Sequence, residues 1–279
     1  MALCAIVLWA SLAAIGVELA EVPPFLLTGL ALLVGSLPGC CRAVQRPAAW
    51  KISLPTLAMG VCGLFGYHFL LFLALRHAPP VEANLVNYLW PLFIVLLAPV
   101  LLPGMRLEAR HVVAAVAGFA GAALAILGGD SPSGSALPTA GQGWGYVAAL
   151  GAALTWATYS VSTRQVPAFS TAAVGLFALV SGLLALACHV FLEPAVTLHA
   201  RQWWLILACG LGPLGAAFYL WDAALKAGDP RQIGVLSYLT PLASTAVLLA
   251  STGQPLRIGL VAAALLIVGG ALVATRAGR

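Results

Sequence analysis

Asn84, Asn87, Tyr88 and Pro91 follow a three, four, seven spacing within one apolar stretch, which places them on one face of a helix. Amides and a phenol donate and accept hydrogen bonds without net charge. The chemistry they offer is neutral recognition of a polar ligand. Pro91 has no N–H for the carbonyl of Asn87, and Pro241 spares the carbonyl of Ser237 in the same way. Two kinked helices are therefore expected, hinged at Pro91 and Pro241, each with an acceptor at the kink. The alternative is a structural kink satisfied by a neighbouring helix. Aromatic and polar residues inside other apolar stretches extend the candidate binding set to Trp9, Tyr67, His68, Trp90, Trp156, Tyr159, Ser237 and Tyr238. Packing is the competing role for the tryptophans. Trp50, Trp144, Trp203 and Trp204 sit at stretch ends, where interfacial anchoring accounts for them.

The elements that must position these residues are membrane helices. Apolar residues make up 62% of the 279, charged residues 8%, and the mean hydropathy is +1.03, more than a soluble core requires. Ten stretches approach the roughly 20 apolar residues that cross a bilayer: about 2–20, 23–39, 52–73, 81–102, 111–128, 144–162, 170–191, 203–224, 231–250 and 257–275. Runs such as FIVLLAPVLL lack the alternation of a membrane β-barrel. The expected class is all-α and polytopic. With a cytoplasmic N-terminus, ten of the 13 basic residues fall inside; only Arg76, Arg201 and Arg257 fall outside. Both termini are then cytoplasmic. The charge of +5 reads as this anchoring, and no nucleic-acid partner is expected. The first stretch reads as a retained helix, without the charged start of a signal peptide. The six cysteines offer no external pair for a disulfide.

Tyr-Leu-x-Pro occurs at 88–91 and again at 238–241, an offset of 150. Ala74, Leu75, Pro80 and Leu92 match Ala224, Leu225, Pro230 and Leu242 at the same offset, and Arg76 faces Lys226. Such matching implies duplication. The Gly-, Ser- and Pro-rich segment 129–143 reads as the linker between repeats 1–128 and 144–279. Five stretches per repeat is an odd number, so the second repeat enters inverted, about a pseudo-twofold axis in the membrane plane. Inverted repeats favour a transporter that opens alternately to either side. Trp90 against Thr240 is the mismatch at which selectivity is expected to depart from symmetry.

The remaining ionisable groups are few. Asp222 and Lys226 are spaced for an i,i+4 pair, with proton coupling through Asp222 or His68 as a secondary reading. Glu82 is placed to reach water or Arg76. Gly60, Gly63 and Gly66 suit close helix contacts. No phosphate loop, HExxH or GxSxG signature is present, so neither an enzyme nor a nucleotide-driven pump is expected. No cofactor or metal is expected.

Taken with the Pro and Gly patterns of each repeat, the segments VLWAS (7–11), VNYLWP (86–91), LGGD (127–130), LTWATYSVSTR (154–164) and SYLTP (237–241) resemble the EamA-type branch of the drug/metabolite transporter superfamily, within it the aromatic amino acid exporters. The resemblance implies a secondary transporter that exports aromatic and other neutral amino acids across the inner membrane by alternating access. It carries Trp9, Tyr67, His68, Tyr88, Trp90, Trp156 and Tyr238 into the cavity. Many members have Gly-Glu where this chain has Gly104-Met105 and Gly253-Gln254, so a role for that glutamate does not transfer. The partners expected are a small-molecule substrate, amino acids or flat cationic drugs, and the lipid bilayer. The alternatives are a metabolite or multidrug permease of the same superfamily and a non-transporting membrane scaffold.

Overall fold

The computed structural model describes residues 1–127, 140–252 and 258–275, and these are helical and free of strands. The segment 129–143 lies largely outside them. Among the described residues, six helical stretches are long and apolar enough to cross a membrane: Pro24–Gln45, Leu54–His77, Pro80–Leu101, Ala109–Leu127, Thr171–Leu192 and Ala200–Ala227. Large apolar side chains cover the outer surface, among them Phe191 at 84% and Leu265 at 72% exposed. That much exposed apolar surface fits lipid as the surrounding solvent.

The helices in chain order are α1 (Ala2–Ala10), α2 (Leu12–Glu18), α3 (Pro24–Gln45), α4 (Leu54–Val61), α5 (Tyr67–His77), α6 (Pro80–Asn87), α7 (Trp90–Leu101) and α8 (Ala109–Leu127). They continue with α9 (Ala140–Ser162), α10 (Val174–Leu192), α11 (Ala200–Leu211), α12 (Ala217–Ala227), α13 (Pro230–Leu236), α14 (Leu239–Thr252) and α15 (Ile258–Thr275). A π-helical turn, Cys62–Gly66, joins α4 to α5, and a second, Gly212–Ala216, joins α11 to α12. Their starts differ by 150 residues (212 less 62), the offset of the Tyr-Leu-x-Pro repeat. A π turn widens the helix and loosens its carbonyl ladder; the Gly-rich sequences CGLFG and GPLGA permit it in both places.

Small residues draw the helices together. In α3 against α10, a Cβ on Gly39 would lie 2.6 Å from the Cα of Gly175. In α8 against α15, a Cβ on Gly121 would meet Ile267 at 2.7 Å. Without a hydrophobic drive between helices in lipid, such close approach is the main source of attraction.

The long α9 serves as a ruler for direction. Near its start, Gly145 abuts Ala78, which follows α5. Just beyond its end, Arg164 donates to the carbonyl of Gly228, which follows α12, at 3.2 Å. Residues 78 and 228 differ by 150, yet about 26 Å of helix separates their contacts. Two points 150 residues apart in the chain thus lie at opposite ends of the bundle.

Candidate functional site

A cavity of about 600 Å³ lies among these helices. Its wall contains eight of the eleven binding residues expected from sequence: Trp9, Tyr67, His68, Asn84, Asn87, Tyr88, Trp90 and Trp156. Thr28, Phe72, Phe218, Thr240 and Ser244 complete its polar and aromatic surface. The lining runs from Trp90 and Trp156, 5% and 3% exposed, to Gly16 and Leu75, which are exposed. One end is therefore a mouth and the other a floor. Among the described residues the lining has no Asp, Glu, Lys or Arg.

The floor is aromatic. Trp9, Trp90, Trp156 and Trp221 all lie near one another, with ring centroids between 5.1 and 6.5 Å apart in every pairing. Most pairs meet edge to face or tilted, so the positive rim of one ring addresses the negative face of the next. Each such pair adds about 0.5–1.5 kcal/mol beyond burial. Two of the indole N–H groups find oxygen partners: Trp9 Nε1 donates to the carbonyl of Pro213 at 3.1 Å, and Trp221 Nε1 to Ser160 Oγ at 3.1 Å.

The π turns orient the wall. His68 Nδ1 lies 2.6 Å from the carbonyl of Leu64 in the first turn. A carbonyl only accepts, so Nδ1 carries the proton. The carbonyl of Pro213, taken by Trp9, belongs to the second turn. Each turn thus fixes one ring of the cavity wall. Asn87 Nδ2 donates to the Tyr67 hydroxyl at 3.3 Å, while Asn87 Oδ1, buried, has no hydrogen-bond partner among the described residues.

Three expected residues stand behind the wall. Tyr159 packs on Trp156 with centroids 5.3 Å apart and fills the space left by Gly63, where a Cβ would come within 2.3 Å of its ring. Ser237, fully buried, donates from Oγ to the carbonyl of Gly234 at 2.5 Å. Tyr238, also fully buried, lies against Gly118. The two prolines mark breaks sharper than kinks: α6 ends at Asn87 and α7 begins at Trp90; α13 ends at Leu236 and α14 begins at Leu239. The acceptor expected at Ser237 is occupied, because Thr240 N donates to its carbonyl at 3.0 Å. A tightened turn captures what the proline spares. Glu82 accepts from the Tyr146 hydroxyl, and Arg76 donates to the carbonyl of Leu192, so these two do not pair.

Sequence reasoning missed Thr28, Phe72, Phe218 and Ser244, and left Thr240 and Trp221 outside the binding set. The repeat held the signal for two of them. At the offset of 150, His68 maps to Phe218 and Trp90 to Thr240, and all four line the cavity.

Comparison with known proteins follows the same geometry. The model of the family described as "EamA-like transporter family" matches residues 1–127 and 143–276. The "Aromatic amino acid exporter YddG" of Ancylobacter novellus is 41% identical over 277 residues, covering 97% of this chain and 94% of that protein. The protein of the same name from Escherichia coli is 28% identical over 294 residues, covering 99% and 97%. A solved crystal structure, 41% identical in sequence, matches with a TM-score of 0.90 across 98% of this chain and 94% of its own.

Proposed function

The chain belongs to the EamA-like transporter family, and from that premise we propose that it exports amino acids, aromatic ones foremost, by alternating access. The observation that carries the substrate class is the cavity: aromatic rings and neutral polar groups with no ionised side chain in the described lining. The neutral groups suit a zwitterion, which brings no net charge, and the rings stack on an aromatic side chain or attract an ammonium. The names of the relatives agree with that class. Alternating access is supported by the repeated π turns, the repeated helix breaks, and the opposite placement of Ala78 and Gly228. These fit two inverted five-helix repeats, 1–128 and 144–279.

The closed end of the cavity points toward Arg164, Lys226 and Arg231, a basic end. Positive-inside placement makes that end cytoplasmic in the inner membrane, with both termini on the same side. The cavity is then open outward, the state from which an exporter releases its cargo. Pro91 and Pro241 act as hinges in this scheme, and the residues behind the wall, Tyr159, Ser237 and Tyr238, join the site as it changes shape.

Counterflow of labelled phenylalanine, tryptophan, tyrosine and threonine into proteoliposomes, with and without a proton gradient, tests the reading. Saturable uptake of the aromatic substrates is the expected result. Uptake no greater than in empty liposomes for all four would sink it. Flat aromatic cations also suit these rings, and competition between such a cation and labelled phenylalanine tests a multidrug range. A scaffold without transport predicts that Asn84→Cys is sealed from aqueous maleimide reagents; the cavity predicts labelling.

A further inference from the structure

Beyond the tryptophan floor, on the side away from the mouth, lies a carboxylate that the open cavity does not use. Phe218, Asp222 and Lys226 occupy positions i, i+4 and i+8 of α12, one face of the helix. Phe218 lines the cavity, and Lys226 lies about 12 Å further along the axis. Asp222 between them is 0% exposed.

Its two oxygens differ. Oδ2 accepts from Lys226 Nζ at 2.7 Å and from Thr171 Oγ1 at 2.6 Å. Lys226 is held further by the carbonyl of Phe169 at 3.0 Å, and its ammonium sits 3.6 Å above the Phe169 ring. Oδ1, equally buried, has no hydrogen-bond partner among the described residues, and neither does the hydroxyl of Tyr159. Trp221, beside Asp222 in the chain, donates to Ser160, beside Tyr159, at 3.1 Å, so the two unpartnered groups belong to one neighbourhood. An ionisable group inside a membrane protein is costly, and a buried carboxylate oxygen left bare more so.

We propose that Asp222 Oδ1, with the Tyr159 hydroxyl, is a recognition site for the primary ammonium group of the substrate, engaged when the bundle opens at the Lys226 end. The Lys226 ammonium on Oδ2 is a tethered cation that neutralises the carboxylate while that end is shut. Opening moves Phe169 and Thr171 away from α12, loosens Lys226 and bares Asp222. The loading face then offers a fixed negative charge, whereas the cavity seen here offers none. The substrate is gripped by its ammonium on one side and released from a neutral chamber on the other. The inference deepens the amino acid reading and rests on it for the substrate, though the site itself requires only a primary ammonium.

Calorimetric titration of the protein in lipid nanodiscs with phenethylammonium, which has the ammonium and ring but no carboxylate, tests the site. The wild type should bind saturably. Asp222→Asn should weaken binding at least tenfold, Asp222→Glu should stay within a few-fold of wild type, and Tyr159→Phe should weaken it several-fold. Lys226→Gln should tighten binding, since a competing cation is removed. Wild-type affinity in Asp222→Asn overturns the proposal. So does weakening by Lys226→Gln, which is what a purely structural ion pair predicts, and so does an absence of binding to the wild type. If Asp222→Asn does not fold, Lys226→Gln and Tyr159→Phe decide the matter. Failed amino acid counterflow together with Asp222-dependent amine binding refutes the substrate reading and leaves this site standing.

Discussion

Trp90 stands where the second Tyr-Leu-x-Pro copy has Thr240, and both line the cavity. One wall position is therefore an indole and its repeat partner a small hydroxyl. Trp90→Ala should cut amino acid counterflow at least about tenfold, because it removes ring contacts each worth about 0.5–1.5 kcal/mol and opens the floor. Trp90→Phe should retain most transport. Tyr88→Ala should impair transport with membrane protein levels unchanged; wild-type flux would reassign Tyr88 to packing. At this scale the sequence pointed to cavity-wall positions where a polar or aromatic residue was isolated in an apolar run. It was poor for Phe218, because a phenylalanine in an apolar helix looks like any other lipid-facing or packed side chain. It could not separate the wall from the layer behind it: Tyr159, Ser237 and Tyr238 carry the same chemistry as wall residues, and only helix rotation decides which way they point.

Helices here are broken where function needs a turn of backbone to do something else. The Tyr-Leu-x-Pro breaks were legible, since proline removes a donor at a known place. The π turns were not. A π turn inserts one residue into a helix whose apolar periodicity is already weak in a membrane, so no spacing betrays it; glycine content alone marked the two segments, and glycine has other uses. Gly63 shows one of them, accommodating the ring of Tyr159 behind the floor. Gly63→Ala would place a methyl carbon 2.3 Å from that ring, a collision that a stiff aromatic cannot relieve by bending. The substitution should cost about 1–3 kcal/mol and lower the melting temperature in detergent. Gly16→Ala, with no atom within 4 Å of its Cβ, is the matched control and should melt as the wild type does.

Across the whole molecule, helix breaks, π turns and wall positions recur at an offset of 150 residues, and Ala78 and Gly228, which differ by that offset, contact opposite ends of α9. Composition made the membrane class legible at once. Which face is open was not legible, because both faces use the same helices and only their tilt distinguishes them. Single cysteines at Leu75 and Arg164 in a cysteine-free background report that choice: an external, impermeant maleimide should modify Leu75→Cys and spare Arg164→Cys. The reverse pattern would invert the proposed orientation. The tryptophan floor has a consequence of an optical kind. Trp9 and Trp90 come from the first half of the chain, and Trp156 and Trp221 from the second, with every pair of rings within 6.5 Å. Indoles so close couple their electronic transitions, and the coupling gives signed bands in near-ultraviolet circular dichroism. Any motion that parts the two halves must decouple them. The protein therefore contains its own chromophore for the transport cycle, read without a label attached.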